Sequence, residues 1–390
     1  MNDNFFKRAV AEIIDENSFK DRLKSGEKLK IKMGFDPTRP DIHLGHAVGL
    51  WKLKELQDEG HEIIFLIGDY TTKIGDPSGR NTTRPVLSDA EIAENAKTYF
   101  NQVGKILDVS KAKIRYNSEW FSEMKFADLL QLAGKFTVAQ IIERDDFQKR
   151  LKARFDIGLH EMFYPIMQAY DSVMLKADIE FGGTDQKFNL LAGRDLQRKN
   201  GQKPQDIFMV KLLVGTDGKE KMSKSLDNYI GVTEEPNSMF GKIMSIPDGV
   251  MLEYFELATR LDEKEIEKIK ARLEAGENPR DLKMDLGFEV VKLYYGEEKA
   301  TKAKEEFINV FSNKELPTDM IEYSIGPGEL ALVKLLVEIG AIDSNSEARR
   351  VIEQGGVKVD GEKITDPNSI IDLLPGRIIQ IGKRRYFKLK

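Results

Sequence analysis

The chain has 390 residues, 41% hydrophobic and 32% charged, a balance typical of a folded protein of two or three domains. It contains no cysteine, which excludes disulfide bridges, thiolate zinc sites and cysteine nucleophiles. No apolar run approaches the roughly 18 residues of a membrane span, and residues 1–20 lack a signal-peptide core, so we expect a cytoplasmic protein. With a formal net charge of −5, any contact with nucleic acid requires a local basic patch.

The first informative stretch predicts a strand, a tight loop and a helix. Hydrophobic residues alternate with lysines through residues 29–35, which is the pattern of a strand. Beyond the loop, His43 and His46 lie three residues apart on one face of a first helical turn, with Gly45 between them. Unpaired N–H groups and the positive end of the helix dipole favour phosphate there. This turn is therefore a candidate nucleotide site.

The next segments continue the pattern of a parallel sheet. Residues 63–67 predict a strand buried on both faces, which opens into a loop at 68–80, either a plain surface loop or a ligand-binding one. Ser88 and Glu91 form a capping box that begins a helix running to about residue 108. We expect a strand at 111–116, a helix at 121–133 and, in the mixed charges of 135–154, a solvated helix face.

The helix predicted at 159–176 carries polar residues on one face. Tyr164, Gln168 and Asp171 recur at helical spacing, so their hydroxyl, amide and carboxylate point the same way. Such a face needs either water or a ligand. The pattern leaves both possibilities open.

Two further loops follow predicted strands of the same sheet. The strand at 178–181 leads into Gly182–Gln186, a glycine-rich turn with an acidic residue that suits a ribose or a phosphate. The strand at 207–214 leads into residues 215–225, a mobile loop that carries Lys221 and Lys224.

After Pro236 the strand pattern stops. Amphipathic helices are predicted at 250–261, 263–275, 279–295 and 297–311, a linker at 324–328, helices from 332 and at 346–354, and short strands at 357–359 and 377–380. From Gly326 onward, eleven Lys and Arg against nine Asp and Glu give a net charge of +2, so the rest carries −7. Five bases and no acid lie in the last eight residues, which is what a nucleic-acid backbone requires.

Several of these motifs together resemble a known family. His43-Leu44-Gly45-His46 and Lys221-Met222-Ser223-Lys224-Ser225 resemble the two signatures of class I aminoacyl-tRNA synthetases. Within that class, residues 164–171, 182–186 and 75–79 resemble the bacterial tyrosyl-tRNA synthetases. The tail, with its 346–350 helix and 355–361 hairpin, resembles the alpha-L RNA-binding module of a small-subunit ribosomal protein.

The resemblance implies an α/β fold in three regions. Residues 1–235 would form a Rossmann-type parallel-sheet catalytic domain with a dimer-interface insertion at about 115–160. Residues 236–325 would form an α-helical domain that binds the anticodon arm, and 326–390 a small α+β RNA-binding domain of the alpha-L (S4) type. The implied reaction converts L-tyrosine and ATP into tyrosyl-adenylate and pyrophosphate and then transfers tyrosine to the 3′ end of tRNA(Tyr). Mg²⁺ would enter bound to ATP, and the protein would have no metal site of its own. The implied assembly is a homodimer with no membrane association.

The resemblance also assigns roles to individual residues. The catalytic set that would act on the phosphates is His43, His46, Thr38, Lys221, Lys224, Arg80 and Arg84. The ATP-binding set is Gly34, Asp36, His43, Gly45, His46, Gly183, Asp185, Met222 and Lys224. The tyrosine-binding set is Thr71, Asp76, Tyr164, Gln168, Asp171 and Gln186, with Asp171 on the phenol. The tRNA-binding set is Arg349, Arg350, Lys358, Lys383, Arg384 and Arg385.

One position departs from the best-known form of the family, which has a tyrosine where this chain has Lys32. The alternation of the strand predicts that Lys32 points to water, which would leave more of the selectivity to Asp171. Three alternatives stay open: a tryptophanyl enzyme of the same class, a nucleotidylyltransferase with a similar histidine turn, and a non-catalytic RNA-binding protein derived from a synthetase. Asp171 and the tail favour tyrosine over tryptophan, and the helical and RNA-binding regions disfavour a nucleotidylyltransferase.

Overall fold

The computed structural model describes residues 3–37, 42–77, 88–311, 320–326, 328–382 and 385–390. The chain divides into two compact units, residues 1–300 and 301–390. The three functional regions expected from the sequence remain a prediction. None of the helices in the described ranges is long and apolar enough to cross a membrane.

A six-stranded sheet forms the centre of the first unit. Its strands are β1 (Val10–Ile14), β2 (Lys30–Phe35), β3 (Glu62–Ile67), β4 (Lys113–Tyr116), β5 (Ile179–Gly183) and β6 (Asp206–Val210). They lie in the order β1-β6-β5-β2-β3-β4, and all neighbouring pairs are parallel except β1 with β6. The fold is therefore the expected α/β type, with one antiparallel edge strand that the sequence pattern did not reveal.

Helices connect and cover these strands. Those of the first unit are α1 (Glu16–Lys24), α2 (Leu44–Asp58), α3 (Asp89–Val103), α4 (Ser118–Phe121), α5 (Phe126–Ala133), α6 (Val138–Ile142), α7 (Asp145–Lys152), α8 (Phe163–Leu175), α9 (Lys187–Lys199), α10 (Pro236–Met244), α11 (Met251–Ala258), α12 (Glu263–Glu274) and α13 (Pro279–Tyr295); α14 (Glu297–Phe311) continues into the second unit. The capping box before α3 is confirmed, since the Ser88 N–H donates to Glu91 Oε2 at 2.8 Å.

Several predicted boundaries are wrong, each for a local reason. The helix expected at 121–133 is two helices, because residues 122–125 form bends and coil between α4 and α5. The strand expected at 207–214 ends at Val210, and Val214 instead pairs with Lys221 in an isolated bridge. Helix α10 was missed, although Pro236 at its first position is a typical helix start.

The order of the strands explains where a ligand can lie. Chain order runs outward in both directions from β2, toward β3 and β4 on one side and toward β5 and β6 on the other. The carboxyl ends of parallel strands beside such a reversal leave a crevice. Stacked rings fill the sheet surface beneath it: Phe35 on Phe65 at 4.4 Å and Phe181 on Phe208 at 4.5 Å between ring centroids.

The second unit has a small core of its own. Its elements are β7 (Ile321–Tyr323), β8 (Glu329–Ala331), α15 (Leu332–Glu338), α16 (Asn345–Glu353), β9 (Val357–Val359), β10 (Glu362–Ile364), β11 (Ile370–Asp372), β12 (Ile378–Ile381) and β13 (Arg385–Leu389). One sheet has the order β10-β9-β12-β13-β7 and the other pairs β11 with β8. Buried leucines and isoleucines of α15 and α16 pack with β9, β12 and β13. The expected α+β module is present.

Candidate active site

A cavity of about 550 Å³ opens at the carboxyl ends of β2, β3, β5 and β6. It is lined by every predicted catalytic, ATP-binding and tyrosine-binding residue within the described ranges: Gly34, Asp36, His43, Gly45, His46, Thr71, Asp76, Tyr164, Gln168, Asp171, Gly183, Asp185, Gln186, Lys221, Met222 and Lys224. Thr38, Arg80 and Arg84 lie outside the described residues. Motifs far apart in sequence therefore meet in one crevice.

The histidine turn begins α2, at one end of the cavity. His43 is the N-cap residue, and its backbone N–H donates to His46 Nδ1 at 3.3 Å. The two imidazoles lie 3.8 Å apart between centroids. Because Nδ1 of His46 accepts this bond, the proton of the neutral ring is on Nε2, which is then the donor toward a ligand.

Both histidines are neutral near physiological pH. Burial, with smaller contributions from Lys224 and Lys221, lowers the pKa of His46 to about 3. Burial and the neighbouring His46 lower the pKa of His43 well below its usual value. These rings can therefore donate hydrogen bonds to phosphate oxygens, but the positive charge at this end comes from the lysines.

Gly45 is required by close packing. A methyl group at this position would lie 3.0 Å from His43 Nδ1 and 3.5 Å from Met222 Cβ. A side chain here would therefore require the His43 ring to shift by a few tenths of an ångström, whereas its contact with Met222 would be an ordinary one. At Gly34 the opposite holds, because no atom lies within 4 Å of the position a Cβ would take, and the space beside the strand is open.

The lysine loop is a hydrogen-bonded turn over the same end of the cavity. The Met222 N–H donates to the Leu213 carbonyl at 2.8 Å, and the Ser223 N–H to Asn228 Oδ1 at 2.8 Å. Lys221 Nζ lies 2.5 Å from Asp185 Oδ2. Lys224 Nζ donates to the Tyr99 hydroxyl at 3.2 Å, so α3 supplies a partner that the sequence did not indicate.

The middle of the cavity holds a polar cluster around Asp36. Its carboxylate accepts from the Tyr164 hydroxyl at 2.9 Å and from Thr71 Oγ1 at 3.0 Å. Across the cavity, Gln186 Nε2 donates to Asp76 Oδ2 at 2.7 Å. Carboxylates with this geometry suit an ammonium group, and the amide suits a carboxylate.

Asp171 lies at the buried end and is 2% exposed. Its oxygens accept from Trp120 Nε1 at 2.9 Å and Asn117 Nδ2 at 3.4 Å. Burial raises the pKa of Asp171 to about 8, against the opposing effect of Lys32. Trp120 and Asn117 were missed, because a tryptophan in the short helix α4 and the asparagine before it carry no motif.

The prediction that Lys32 points to water is wrong. Its side chain is fully buried and lines the cavity, with Nζ 2.9 Å from Glu180 Oε1 and 2.8 Å from Ser172 Oγ. The reason is the register of the sheet, which places Lys32 directly opposite Glu180 on β5. A central strand covered on both faces has no solvent side, so alternation does not report exposure.

The interpretation of residues 135–154 as a solvated face is also wrong in part. Arg144 and Arg150 are 3% and 1% exposed. Arg150 pairs with Glu161 at 2.8 Å, and Arg144 reaches Asp146, Asn189 and Asp76. Ion pairing permits this burial, and Asn189 and Asp76 are too far from Arg144 in the sequence to appear in a local pattern.

The predicted RNA-binding residues lie in the second unit. Arg349 and Arg350 on α16, Lys358 on β9 and Arg385 on β13 are exposed. Arg385 also donates to the Ala341 carbonyl at 2.7 Å, which ties β13 to the turn after α15. Lys383 and Arg384 lie outside the described residues. Within the described ranges, no three His, Asp or Glu side chains group as metal ligands.

The comparisons with known proteins agree with this architecture. A family model described as tRNA synthetases class I (W and Y) matches residues 24–312, and an S4 domain model matches residues 332–379. The chain is thus a member of that class I group, with an S4 domain. This membership is at variance with the nucleotidylyltransferase alternative.

The individual relatives have a more specific description than the family model, because they are tyrosine–tRNA ligases. The chain is 49% identical to a tyrosine–tRNA ligase of Thermotoga maritima, covering 98% of this chain and 96% of the relative. It is 51% identical to one of Dehalococcoides mccartyi, covering 99% and 98%. A solved tyrosyl-tRNA synthetase of Archaeoglobus fulgidus with L-tyrosine aligns with a TM-score of 0.62 at 28% identity, covering 77% of this chain and 98% of that one. The chain belongs to the tyrosine–tRNA ligase family.

The buried carboxyl of Asp171 predicts a pH-dependent stability. Its pKa of about 8 lies above the roughly 3.9 of an unfolded aspartate, so the folded protein holds this proton more tightly. Stability from this group is full below about pH 4 and is lost as pH rises toward about 8. We expect Asp171→Asn to gain stability relative to the parent over this window, by up to a few kcal/mol.

Urea unfolding of the two ligand-free proteins between about pH 5 and pH 8 measures this difference. The difference in free energy of unfolding should grow with pH. Parallel pH profiles would show that Asp171 carries no proton in the folded protein near neutrality.

Proposed function

We propose that the chain activates L-tyrosine with ATP, giving tyrosyl-adenylate and pyrophosphate, and then transfers tyrosine to the 3′ end of tRNA(Tyr) in the cytoplasm. One observation carries this proposal: a single cavity holds the histidine turn and the lysine loop at one end and the buried Asp171 at the other. One end suits the phosphates of a nucleotide, and the other suits a small polar group on an aromatic ring.

At the phosphate end, the chain needs no nucleophile of its own. The carboxylate of tyrosine attacks the α-phosphorus, the bond to the bridging oxygen breaks, and pyrophosphate leaves. His46 Nε2 donates to the phosphates as a neutral ring, while Lys221 and Lys224 neutralise the charge that accumulates on the leaving group. Mg²⁺ enters with ATP as part of the substrate.

Ribose binding and lysine release are linked in this proposal. Asp185 and Gly183 take the ribose, and Asp185 is also the ion-pair partner of Lys221. A ribose hydroxyl that takes over Asp185 frees Lys221 for the phosphates. Gly34, Gly45 and Met222 line the space for the base, and Asp36 lies between the nucleotide and the amino acid.

At the amino-acid end, each polar group of tyrosine has a candidate partner. Asp76, Tyr164, Gln168 and Thr71 surround the ammonium group, and Gln186 faces the carboxylate. Asp171 receives the phenol, with Lys32 as a second polar group beside it. Phenylalanine would cover these buried polar groups without bringing the hydroxyl that tyrosine offers them, and this missing hydrogen bond is the physical source of discrimination.

Amino-acid-dependent exchange of pyrophosphate into ATP tests the proposal, with each proteinogenic amino acid offered in parallel. Tyrosine alone should support exchange. Exchange with tryptophan would point to the other enzyme of this class I group, and exchange with none would indicate a protein that has lost activation.

The lysine loop is tested in the same assay. Lys224→Ala should slow tyrosine-dependent exchange by about 100-fold, because one contact to the transition state is lost, with tyrosine affinity unchanged. Lys219→Ala, an exposed lysine of the same loop, is the matched control and should behave as the parent. An unaltered rate for Lys224→Ala would remove the loop from the mechanism.

We propose three functional regions, 1–235 for catalysis, 236–325 for the anticodon arm and 326–390 for further contact with tRNA. The exposed Arg349, Arg350 and Lys358 of the S4 unit support the last assignment, since exposed bases bind phosphate without regard to sequence.

Changing Arg349, Arg350 and Lys358 together to Glu should raise the KM for tRNA by about 10-fold or more at moderate salt and leave pyrophosphate exchange intact. Lys334→Glu, a single charge reversal at an exposed position of α15, should have a much smaller effect. Equal loss of exchange and charging would show that the tail supports folding instead.

We also propose a homodimer formed through the insertion at about 115–160. Large hydrophobic side chains of this stretch are exposed: Phe126 (74%), Leu130 (57%), Val138 (67%), Leu151 (48%), Phe155 (50%) and Leu159 (72%). An apolar surface of this kind is typical of a protein interface.

Sedimentation velocity should therefore give twice the 44.4 kDa of one chain. Leu159→Asp should shift the protein to the mass of one chain, whereas Ile370→Asp, at a similarly exposed position of β11, should not. A parent protein that sediments at 44.4 kDa contradicts the proposal.

A further inference from the structure

Arg144 is a buried arginine next to the amino-acid end of the cavity, but it does not line the cavity. It lies at the N-cap of α7, between the rings of Phe147 at 5.2 Å and Phe188 at 5.9 Å. Its Nε donates to Asp146 Oδ1 at 3.0 Å. The guanidinium is therefore held rigidly in one orientation.

A closed ring of contacts joins Arg144 to two cavity residues. One guanidinium nitrogen donates to Asn189 Oδ1 at 2.7 Å. Asn189 Nδ2 donates to Gln186 Oε1 at 2.9 Å, and Gln186 Nε2 donates to Asp76 Oδ2 at 2.7 Å. The other terminal nitrogen of Arg144 lies 3.6 Å from Asp76 Oδ1, which completes the ring.

The direction of every hydrogen bond in this ring follows from its ends. A guanidinium can only donate, so the oxygen of the Asn189 amide must face Arg144 and its NH₂ must face Gln186. Gln186 must then turn its oxygen toward Asn189 and its NH₂ toward Asp76 and the cavity. A carboxylate can only accept, so Asp76 fits the other end of the chain.

We infer that Arg144 is a positioning residue for the amino-acid site, because through Asn189 it makes Gln186 present its NH₂ group to the carboxylate of the substrate. The same guanidinium orients the carboxylate of Asp76 for the substrate ammonium group. This inference rests on the proposed function, since it assumes that an amino acid occupies this end of the cavity. Arg144 itself does not touch the substrate.

Asn189→Asp tests the inference with almost no change of shape. A carboxylate at 189 still accepts from Arg144, so the buried contact is kept, but it cannot donate to Gln186. Gln186 must then reverse its amide and turn its oxygen toward Asp76. We expect the KM for tyrosine in pyrophosphate exchange to rise about 10- to 100-fold, with the KM for ATP within about twofold of the parent.

Two further variants separate orientation from folding and from added charge. Asn189→Leu removes the relay without reversing it and without changing charge, so the KM for tyrosine should rise less than with Asn189→Asp. Arg144→Lys keeps a group that can only donate and should stay close to the parent, whereas Arg144→Gln, which can accept, should behave like Asn189→Asp.

Arg150→Lys is the matched control, because Arg150 is buried on the same helix and pairs with Glu161 away from the cavity. It should leave the KM for tyrosine unchanged.

Binding of tyramine, which lacks the carboxylate, should weaken less than binding of tyrosine in Asn189→Asp.

An Asn189→Asp protein whose KM for tyrosine stays within about twofold of the parent would overturn the inference. So would an equal rise in Asn189→Asp and Arg150→Lys, which would show that the rise comes from a general disturbance of the fold and not from the orientation of Gln186. If the parent shows no exchange with tyrosine, the proposed function has failed, and direct titration of tyrosine and tyramine still tests the relay.

Discussion

The site depends on one constraint, the reversal of strand order at β2. Because β3 and β5 both run parallel to β2, the segments that follow these strands emerge at the same edge. The histidine turn follows β2, and the Asp76 segment follows β3. The Gly182–Gln186 turn begins in the last two residues of β5 and continues beyond that strand. The lysine loop follows β6, one strand further along. Four segments, the first and last of which are separated by 181 residues from His43 to Lys224, thus share one cavity.

The two ends of this cavity use charge differently. At the phosphate end, burial and adjacent lysines hold both histidines neutral, so directional N–H groups and mobile positive charge come from different residues. From the middle of the cavity to the amino-acid end, polar groups are fixed by networks: Asp36 by Tyr164 and Thr71, and Gln186 by Asn189. The first arrangement suits charge that moves during a reaction, and the second suits a substrate whose polar groups stay in place.

Sequence reasoning succeeded where function depends on strand order and failed where it depends on pairing across the sheet. A motif after a predicted strand implies its own location, which is why His43, Asp185 and Lys221 could be expected at one edge. The burial of Lys32 depends on Glu180, which is 148 residues away, and that of Arg144 on Asn189. Neither partner can be inferred from the local periodicity of the sequence. A mixed charge pattern is also the same in a solvated helix and in an ion-paired helix. Trp120 and Asn117 were missed for the same reason, since only the folded chain brings α4 and its N-cap to Asp171.

The buried charges of the amino-acid end are best explained by binding and not by stability. An ion pair such as Lys32 with Glu180 gives up the hydration of both groups, and well-packed apolar residues of similar size commonly stabilise a protein as much or more. Asp171 adds a carboxyl whose raised pKa signals that burial disfavours its charged form. A phenol that donates to this carboxyl provides part of the hydrogen bonding that water supplied in the unfolded chain. The same groups that weaken the ligand-free protein therefore favour tyrosine over an amino acid without the hydroxyl.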